Sequence, residues 1–269
     1  MIAAPETAGR HAVAAEATAP ATLALETRAL SRRFGALVVA NEVEFQLAPG
    51  ARHALIGPNG AGKTTFVNLV TGRLTPSSGR ILLNGDDVTA LSQAGRVRRG
   101  LARTFQINTL FRGLSVLENV ALGVSERCGI AGGMFRLAGA RRHVVEQAYT
   151  LLARLRVADD ALRPVRELPY GKQRLVELAI ALGLQPSVLL LDEPAAGIPS
   201  SETRIILDVI EQLPDSMAVL IIEHDMELVF RFARRITVLV QGGILVEGTP
   251  AEIAADPRVR EVYLGDRHG

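Results

Sequence analysis

Residues 57–64 form a glycine-rich segment that ends in lysine and threonine, and they fit the pattern G-x-x-x-x-G-K-[ST]. Glycines let backbone N–H groups point at phosphate oxygens, and the start of a following helix adds positive dipole character. Lys63 supplies a positive charge for the β- and γ-phosphates, and the Thr64 hydroxyl is a ligand for Mg²⁺. The segment predicts a nucleotide phosphate site with these binding residues: Gly57, Pro58, Asn59, Gly60, Ala61, Gly62, Lys63, Thr64 and Thr65.

The alternative for this segment is a glycine-rich turn that matches the pattern by chance. The 30 basic residues comprise 28 arginines and only two lysines, Lys63 and Lys172. A chance match that includes a lysine is therefore rare. The segment also lies between a predicted strand and a predicted helix, as the motif requires, so we favour the phosphate site.

An acidic pair, Asp192 and Glu193, follows the apolar run Val188–Leu191. A strand that ends in two acids places both carboxylates at the carboxyl edge of a sheet, where ligands bind in open α/β folds. Asp192 can hold the Mg²⁺ water shell, and Glu193 can polarise an attacking water. Alone, the pair is more typical of an exposed strand end, but beside a phosphate loop the catalytic interpretation is the better one.

His224 occupies a similar place after the apolar run Val219–Ile222. A histidine at that strand end could contact a γ-phosphate, although taken alone an ordinary surface or core histidine is the better interpretation. Gln106, which follows Arg-Thr-Phe at residues 103–105, gives a weaker signal still.

Strands and helices must position these residues. Buried apolar strands that alternate with helices indicate an α/β core around a central, mostly parallel sheet. A helix is predicted over Thr64–Val70, closed by Gly72, and residues 84–85, Asn-Gly, predict a hairpin turn. Residues 32–34 are expected to be irregular. The predicted strands are Leu23–Leu30, Ala54–Ile56, Ile81–Leu83, Val188–Leu191 and Val219–Ile222.

Residues from about 107 to 167 have a different pattern. Val145, Ala148, Leu152 and Leu155 recur at helical spacing with charged residues between them, which predicts an amphipathic helix in a mostly helical subdomain. Residues 1–22 are rich in alanine and lack apolar periodicity. Charged residues interrupt them, which predicts a disordered extension rather than a signal peptide.

The composition excludes several classes of protein. The 30 basic and 28 acidic residues give a net charge of +2, so there is no electrostatic case for a nucleic-acid partner. The longest apolar runs have about six residues, whereas a membrane-spanning helix needs roughly 20. The single cysteine, Cys128, excludes an intrachain disulfide and a cysteine-based zinc site.

The order and spacing of the motifs resemble the nucleotide-binding subunit of ATP-binding cassette (ABC) transporters over roughly residues 23–265. Residues 168–173, Leu-Pro-Tyr-Gly-Lys-Gln, lie about 20 residues before the acidic pair, where this family carries its signature motif. Other phosphate-loop ATPases and GTPases lack that motif. The resemblance implies an ATPase core over about 23–106 and 175–265, an antiparallel β subdomain, and a helical subdomain over about 107–174.

The resemblance also implies roles for single residues. Phe34 would stack on adenine, and Gln106 would join the Mg²⁺ and the water to the helical subdomain. Glu193 would be the catalytic carboxylate, and His224 would contact the γ-phosphate as a switch. In this family two subunits pair head to tail, so that each ATP lies between the phosphate loop of one and the signature of the other.

Within the family, the chain is similar to importers for branched-chain amino acids. The segments that carry this similarity are residues 103–106, 110–111, 114–120, 191–197 and 262–265, together with the long helical insert. Importers for urea and short amides share much of the pattern. The implied ligands are ATP and Mg²⁺. The implied partners are transmembrane permeases, a second ABC ATPase subunit and, indirectly, an extracytoplasmic solute-binding protein, at the cytoplasmic face of the cell membrane.

The signature departs from the usual Leu-Ser-Gly-Gly-Gln. Pro169 replaces serine and has neither hydroxyl nor N–H to offer a γ-phosphate, and Tyr170 replaces a glycine. Lys172, beside Gly171, either adds charge near the phosphates or lies on a solvated face. Pro199 follows the stretch in which the family usually carries an Asp or Asn that contacts the opposite site. In a heterodimer, the site completed by this signature is therefore predicted to be the weaker one.

Two alternative functions are a stand-alone soluble phosphate-loop ATPase and a regulatory cassette that binds ATP without turning it over. Glu193 and His224 argue against the regulatory cassette, whereas Pro169 and Pro199 favour it. A GTPase would need Asn-Lys-x-Asp, which the positions of the two lysines exclude. Superfamily members that maintain nucleic acids carry coiled-coil insertions or two cassettes, which do not fit these 269 residues.

Overall fold

The computed structural model describes residues 22–104, 110–129, 138–198 and 200–265. The described strands are β1 (Leu25–Phe34), β2 (Leu37–Leu47), β3 (Arg52–Ile56), β4 (Ser78–Leu83), β5 (Asp86–Asp87), β6 (Leu101–Arg103), β7 (Val188–Asp192), β8 (Ala218–Ile222), β9 (Arg235–Val240) and β10 (Gly243–Gly248). The described helices are α1 (Lys63–Thr71), α2 (Gln93–Arg98), α3 (Val116–Arg127), α4 (Ala138–Arg154), α5 (Tyr170–Gly183), α6 (Ser200–Glu211), α7 (Met226–Phe232), α8 (Pro250–Ala255) and α9 (Pro257–Gly265).

A six-stranded sheet, in the order β10-β9-β3-β8-β7-β6, forms the centre of the fold. Its inner neighbours pair in parallel, and β10 pairs antiparallel with β9 at one edge. Every residue of β3 and β8 is buried, which explains the continuous apolar run of β8 and the apolar end of β3 at Ala54–Ile56. Because parallel strands end at the same edge, the loops after β3, β7 and β8 start side by side. The predicted α/β core is confirmed.

A second sheet of four strands, β2-β1-β4-β5, is antiparallel. The predicted hairpin between β4 and β5 is present, with Asn84 and Gly85 both at positive φ, as a two-residue turn of this kind requires. The expectation of an irregular segment at 32–34 was wrong, since these residues continue β1. Register shifts between Thr27 and Arg33 absorb the uneven hydrophobic pattern within the pairing of β1 with β2.

Helices α3, α4 and α5 pack against one another and form the predicted helical region. The amphipathic helix is α4, in which Ala148 and Leu152 are fully buried. The prediction was wrong for Val145, which is 45% exposed, whereas Val144 is buried. Position 144 precedes Ala148 and Leu152 at the four-residue spacing of one helix face, whereas 145 is turned toward solvent.

The boundaries of the predicted domains remain a prediction, and α5 runs across the one placed at 174–175. Within the part of the chain that the structure describes, no helix is both long and apolar enough to cross a membrane. The predicted extension over residues 1–22 lies outside the described residues up to position 21, as do Gln106 and Pro199.

Candidate functional site

The segment after β3 is a tight loop whose glycines are required by close approach to neighbouring backbone. A Cβ on Gly57 would lie 2.2 Å from the carbonyl oxygen of Leu239. Gly62, at φ +103, would bring a Cβ within 2.8 Å of the Val39 carbonyl oxygen. Any larger residue at either position would force the loop away from the strands that support it.

The other side of this loop is open. A Cβ on Gly60 would meet no heavy atom within 4 Å. Helix α1 begins at Lys63 after Gly62, and no side chain caps this helix. Its first N–H groups therefore lie where an anion can receive their hydrogen bonds, together with the positive end of the helix dipole. The loop fits a polyphosphate.

Lys63 folds back over the loop. Its Nζ donates to the carbonyl oxygens of Gly57, at 2.5 Å, and Pro58, at 2.9 Å. Burial lowers the pKa of Lys63, and the nearby Glu193 carboxylate opposes that shift. The ammonium is thus held at the loop by these two carbonyl oxygens. Phosphate oxygens of a bound nucleotide would replace them as its partners.

Asp192, at the end of β7, is paired with a residue that the sequence did not single out. The guanidinium of Arg103, at the end of β6, donates to the Asp192 carboxylate and to Asn68 Oδ1, the latter at 3.0 Å. The pairing of β6 with β7 brings Arg103 to the same sheet edge. A basic residue at the end of a short apolar strand is a weak signal, because nothing local in the sequence shows which strand will be its neighbour. With Thr64, Asp192 offers the oxygen ligands that Mg²⁺ prefers.

Glu193 lies beside His224 at the same edge. The Glu193 N–H donates to the carbonyl oxygen of Ile222 at 2.9 Å, and φ is +47°. Its side chain is half exposed, and His224 Nδ1 lies 3.9 Å from Glu193 Oε1 and 3.7 Å from Glu223 Oε2. Glu223 is buried, which raises its pKa. Sequence reasoning passed over Glu223 as a flanking residue.

Phe34 lies at the hairpin between β1 and β2, where it pairs with Leu37. It is 49% exposed, and the guanidinium of Arg32 lies 4.4 Å from its ring centroid. Strand β2 also carries Val39, whose carbonyl approaches Gly62 of the phosphate loop. An exposed aromatic ring on this hairpin is available for stacking on a planar base.

The segment at the start of α5 is tied to its own chain. Lys172 Nζ donates to Asp160 Oδ2 at 2.5 Å, and Asp160 also accepts from Arg163 at 2.9 Å. This contact favours a structural role for Lys172 over one at the phosphates. Gly171 is buried in the first turn, and Pro169 stands at the N-cap, where no side chain caps the helix.

Tyr170 connects this segment to the loop that follows Glu193. A Cβ on Gly197 would lie 3.5 Å from the Tyr170 hydroxyl, so the ring packs over that glycine. Arg174 donates to the same hydroxyl at 3.1 Å and pairs with the buried Glu177 at 3.0 Å. The large residue that replaces a glycine here therefore makes an internal contact.

A separate groove of about 200 Å³ opens between α3, α5 and the segment at 110–111. Phe111 and Leu122 on its rim are 61% and 43% exposed, which is high for large apolar side chains. Glu177 also lines the groove. A mostly apolar groove with exposed apolar rims is typical of a surface that another protein covers.

Comparisons with known proteins agree with this geometry. A family model described as "ABC transporter" matches residues 40–196, and one described as "Branched-chain amino acid ATP-binding cassette transporter" matches 244–269. The chain is 39% identical to the high-affinity branched-chain amino acid transport ATP-binding protein LivG of Escherichia coli K12, over 90% of this chain and 98% of that protein. It is 36% identical to BraF of Pseudomonas aeruginosa, a protein with the same description, over the same shares.

The fold matches solved structures as well. A nucleotide-free ATP-binding cassette from an ABC transporter superposes with a TM-score of 0.77 and 28% identity, over 90% of this chain and 98% of that one. An ATP-binding cassette in its ADP conformation gives the same TM-score and identity, over 90% and 99%.

Proposed function

The chain belongs to the ABC transporter family of ATP-binding proteins, and on that premise we propose that it binds ATP with Mg²⁺ and hydrolyses it to drive import of a small solute. The observation that carries this proposal is the shared sheet edge, at which an open phosphate loop, Asp192, Glu193 and His224 follow three adjacent strands. A phosphate loop alone would support binding, and the carboxylate–histidine pair supports hydrolysis.

We assign each residue of the site a role according to its chemistry. The loop at 57–62 and the start of α1 bind the phosphates, and Phe34 stacks on the base. Thr64 and Asp192 would hold Mg²⁺, with Gln106 as a further proposed ligand, and such an ion would supply positive charge to the phosphates. Glu193 orients and deprotonates the attacking water, and His224 contacts the γ-phosphate.

The similarity to branched-chain amino acid transport ATP-binding proteins supports that substrate class for the importer. Related small polar or amide solutes are the alternative within the same architecture. The solute itself would be bound by the permease and an extracytoplasmic binding protein, so this chain would supply energy and not selectivity.

The partners would be transmembrane permeases and a second ATP-binding cassette, with this chain peripheral at the cytoplasmic face of the cell membrane. The apolar groove with Phe111 and Leu122 on its rim supports a docking site for a helical segment of the permease. Because a lone apolar rim is unfavourable in water, covering it contributes binding free energy.

Affinity purification from native membranes in mild detergent tests this function. We expect a tagged chain to copurify with two polytopic permeases and a second cassette. Phe111→Asp should lose the permeases without loss of folding, because Phe111 is mostly exposed, while Tyr149→Asp, at an exposed site on α4, serves as the matched control. Recovery of this chain alone, or of soluble proteins only, would contradict the transport function.

A further inference from the structure

Glu223 is a buried carboxylate held by backbone donors. Its exposed fraction is 2%, and it directly follows β8. Its Oε2 accepts from the N–H of His224 at 3.0 Å and of Asp225 at 3.5 Å, while its Oε1 accepts from the N–H of Ala195 at 3.3 Å. A buried carboxylate is costly unless hydrogen bonds compensate, so these bonds are what keep Glu223 in place.

The two oxygens bind two different loops. Oε2 accepts from the loop after β8, which carries His224. Oε1 accepts from the loop after β7, which carries Glu193. Asp225 already caps α7 through the N–H groups of Glu227 and Leu228, so the start of that helix does not need Glu223. What Glu223 adds is the bond to Ala195, which lies 28 positions away in the loop after the neighbouring strand β7.

The loop that Glu223 holds is not in a relaxed conformation. Glu193 has φ +47°, in the left-handed region that non-glycine residues avoid. Its N–H bond to Ile222 ties it to the end of β8, and the N–H bond of Ala196 to its carbonyl oxygen, at 3.1 Å, closes a turn within the loop. Such strain persists only where the surroundings enforce it, and the bond from Ala195 to Glu223 adds a side-chain tie between this loop and the one carrying His224.

We propose that Glu223 is a positioning residue for hydrolysis, which holds the Glu193 loop and the His224 loop in register so that the two side chains face one γ-phosphate. This inference rests on the proposed ATP hydrolysis. Glu223 itself need not touch nucleotide. Its role is to keep the Glu193 and His224 side chains at their 3.9 Å separation.

Glu223→Gln tests the role with the least change in shape. The amide keeps one acceptor oxygen and replaces the other with an NH₂ group that cannot accept, so one loop loses its bond. In the assembled transport complex we expect kcat to fall about 10- to 100-fold, the size of effect that small misplacement of catalytic groups produces. The KM for ATP should change less than about twofold, because among the described residues the hydrogen bonds of Glu223 go to Ala195, His224 and Asp225 and not to the phosphate loop. Glu227→Gln, the same change at an exposed site on α7, should leave both constants unaltered.

A double variant tests whether Glu223 acts through Glu193. If it does, Glu223→Gln should lower turnover little further, less than about twofold, in a complex that already carries Glu193→Gln. Full additivity of the two effects would overturn the positioning role.

Hydrogen–deuterium exchange of the full chain gives a readout that does not depend on turnover. Glu223→Gln should raise exchange in residues 193–198 and 223–225, and Glu227→Gln should not. If Glu223→Gln shows wild-type exchange and wild-type kcat, the inference is overturned. It is also overturned if Glu223→Gln leaves kcat unchanged in a complex whose turnover Glu193→Gln abolishes. If Glu193→Gln leaves turnover intact, it is the proposed hydrolytic site that fails.

Discussion

Lys172 Nζ lies 2.5 Å from Asp160 Oδ2, so the second of the chain's two lysines is bound within its own helical region. This bond lowers the pKa of Asp160, and Arg163 supports the same carboxylate. Lys172 replaces the glutamine of the usual signature and forms a salt bridge with Asp160, which is nearly buried. The ammonium would have to leave Asp160 before it could serve a phosphate of the partner's nucleotide.

Lys172→Met is therefore expected to cost stability and not nucleotide affinity. Removing the ammonium leaves Asp160 with Arg163 only, and because Lys172 is partly exposed the loss should be modest, about 1 kcal/mol in the free energy of unfolding. Urea unfolding measures this, and an ATP titration of the assembled complex measures affinity. A tenfold weaker ATP affinity with unchanged stability would place Lys172 at the nucleotide.

Lys63→Ala addresses the opposite case, a lysine at the phosphate loop. Among the described residues its ammonium donates only to loop carbonyls, so removing it should leave the fold intact and weaken ATP binding at least tenfold through loss of a charge-assisted contact. Equilibrium binding of a fluorescent ATP analogue provides the measurement, with Lys172→Ala as the matched lysine control. Wild-type affinity in Lys63→Ala would count against the phosphate loop.

Glu193→Gln separates binding from hydrolysis. The side chain is half exposed and receives no structural hydrogen bond among the described residues, so the amide should be tolerated. Loss of a general base lowers turnover roughly 10²- to 10⁴-fold, while ATP affinity should remain within about threefold of wild type. Phosphate release and nucleotide binding are measured on the same complex. Unchanged turnover would assign the base elsewhere. Asp225→Asn, in the loop after β8, tests for a non-specific effect of charge.

The loop between β3 and α1, the strands that precede the candidate site residues and the hairpin at 84–85 could all be predicted from sequence. Each depends on a short segment: glycines and a lysine at fixed spacing, an apolar run, or an Asn-Gly turn. Helix ends are also set locally, here by the flanking glycines Gly62 and Gly72. The predicted helix over Thr64–Val70 therefore comes within one residue of α1 at each end.

The contacts that sequence did not predict join residues far apart in the chain. Arg103 meets Asp192 across 89 positions because β6 happens to lie beside β7. Glu223 meets Ala195 for a similar reason. Local patterns cannot distinguish a buried tethering glutamate from an exposed one, since burial depends on strand order. The sequence likewise left the bond of Lys172 to Asp160 open, because it joins two separate helical segments 12 positions apart.

Glu177 lies on α5 between the apolar groove and the sheet, with an exposed fraction of 5%. Arg174 donates to its Oε2 at 3.0 Å, while Oε1 has no hydrogen-bond partner in the described part of the chain. Burial raises the pKa of Glu177 to about 7, against the opposing effect of Arg174. The folded state therefore retains this proton at pH values where an unfolded chain has lost it.

Glu177→Gln should remove a pH dependence of stability. A raised folded-state pKa contributes stability that is complete below the ordinary glutamate value, about 4.5, and is lost as the pH rises through about 7. Relative to the Gln variant, the wild-type protein should lose about 2.5 kcal/mol of unfolding free energy between pH 5 and pH 8, since one pKa unit corresponds to about 1.4 kcal/mol. Urea unfolding at several pH values measures the difference. Glu227→Gln, on an exposed face of α7, should follow the wild-type curve, and parallel curves for wild type and Glu177→Gln would show that folding does not raise the pKa of Glu177.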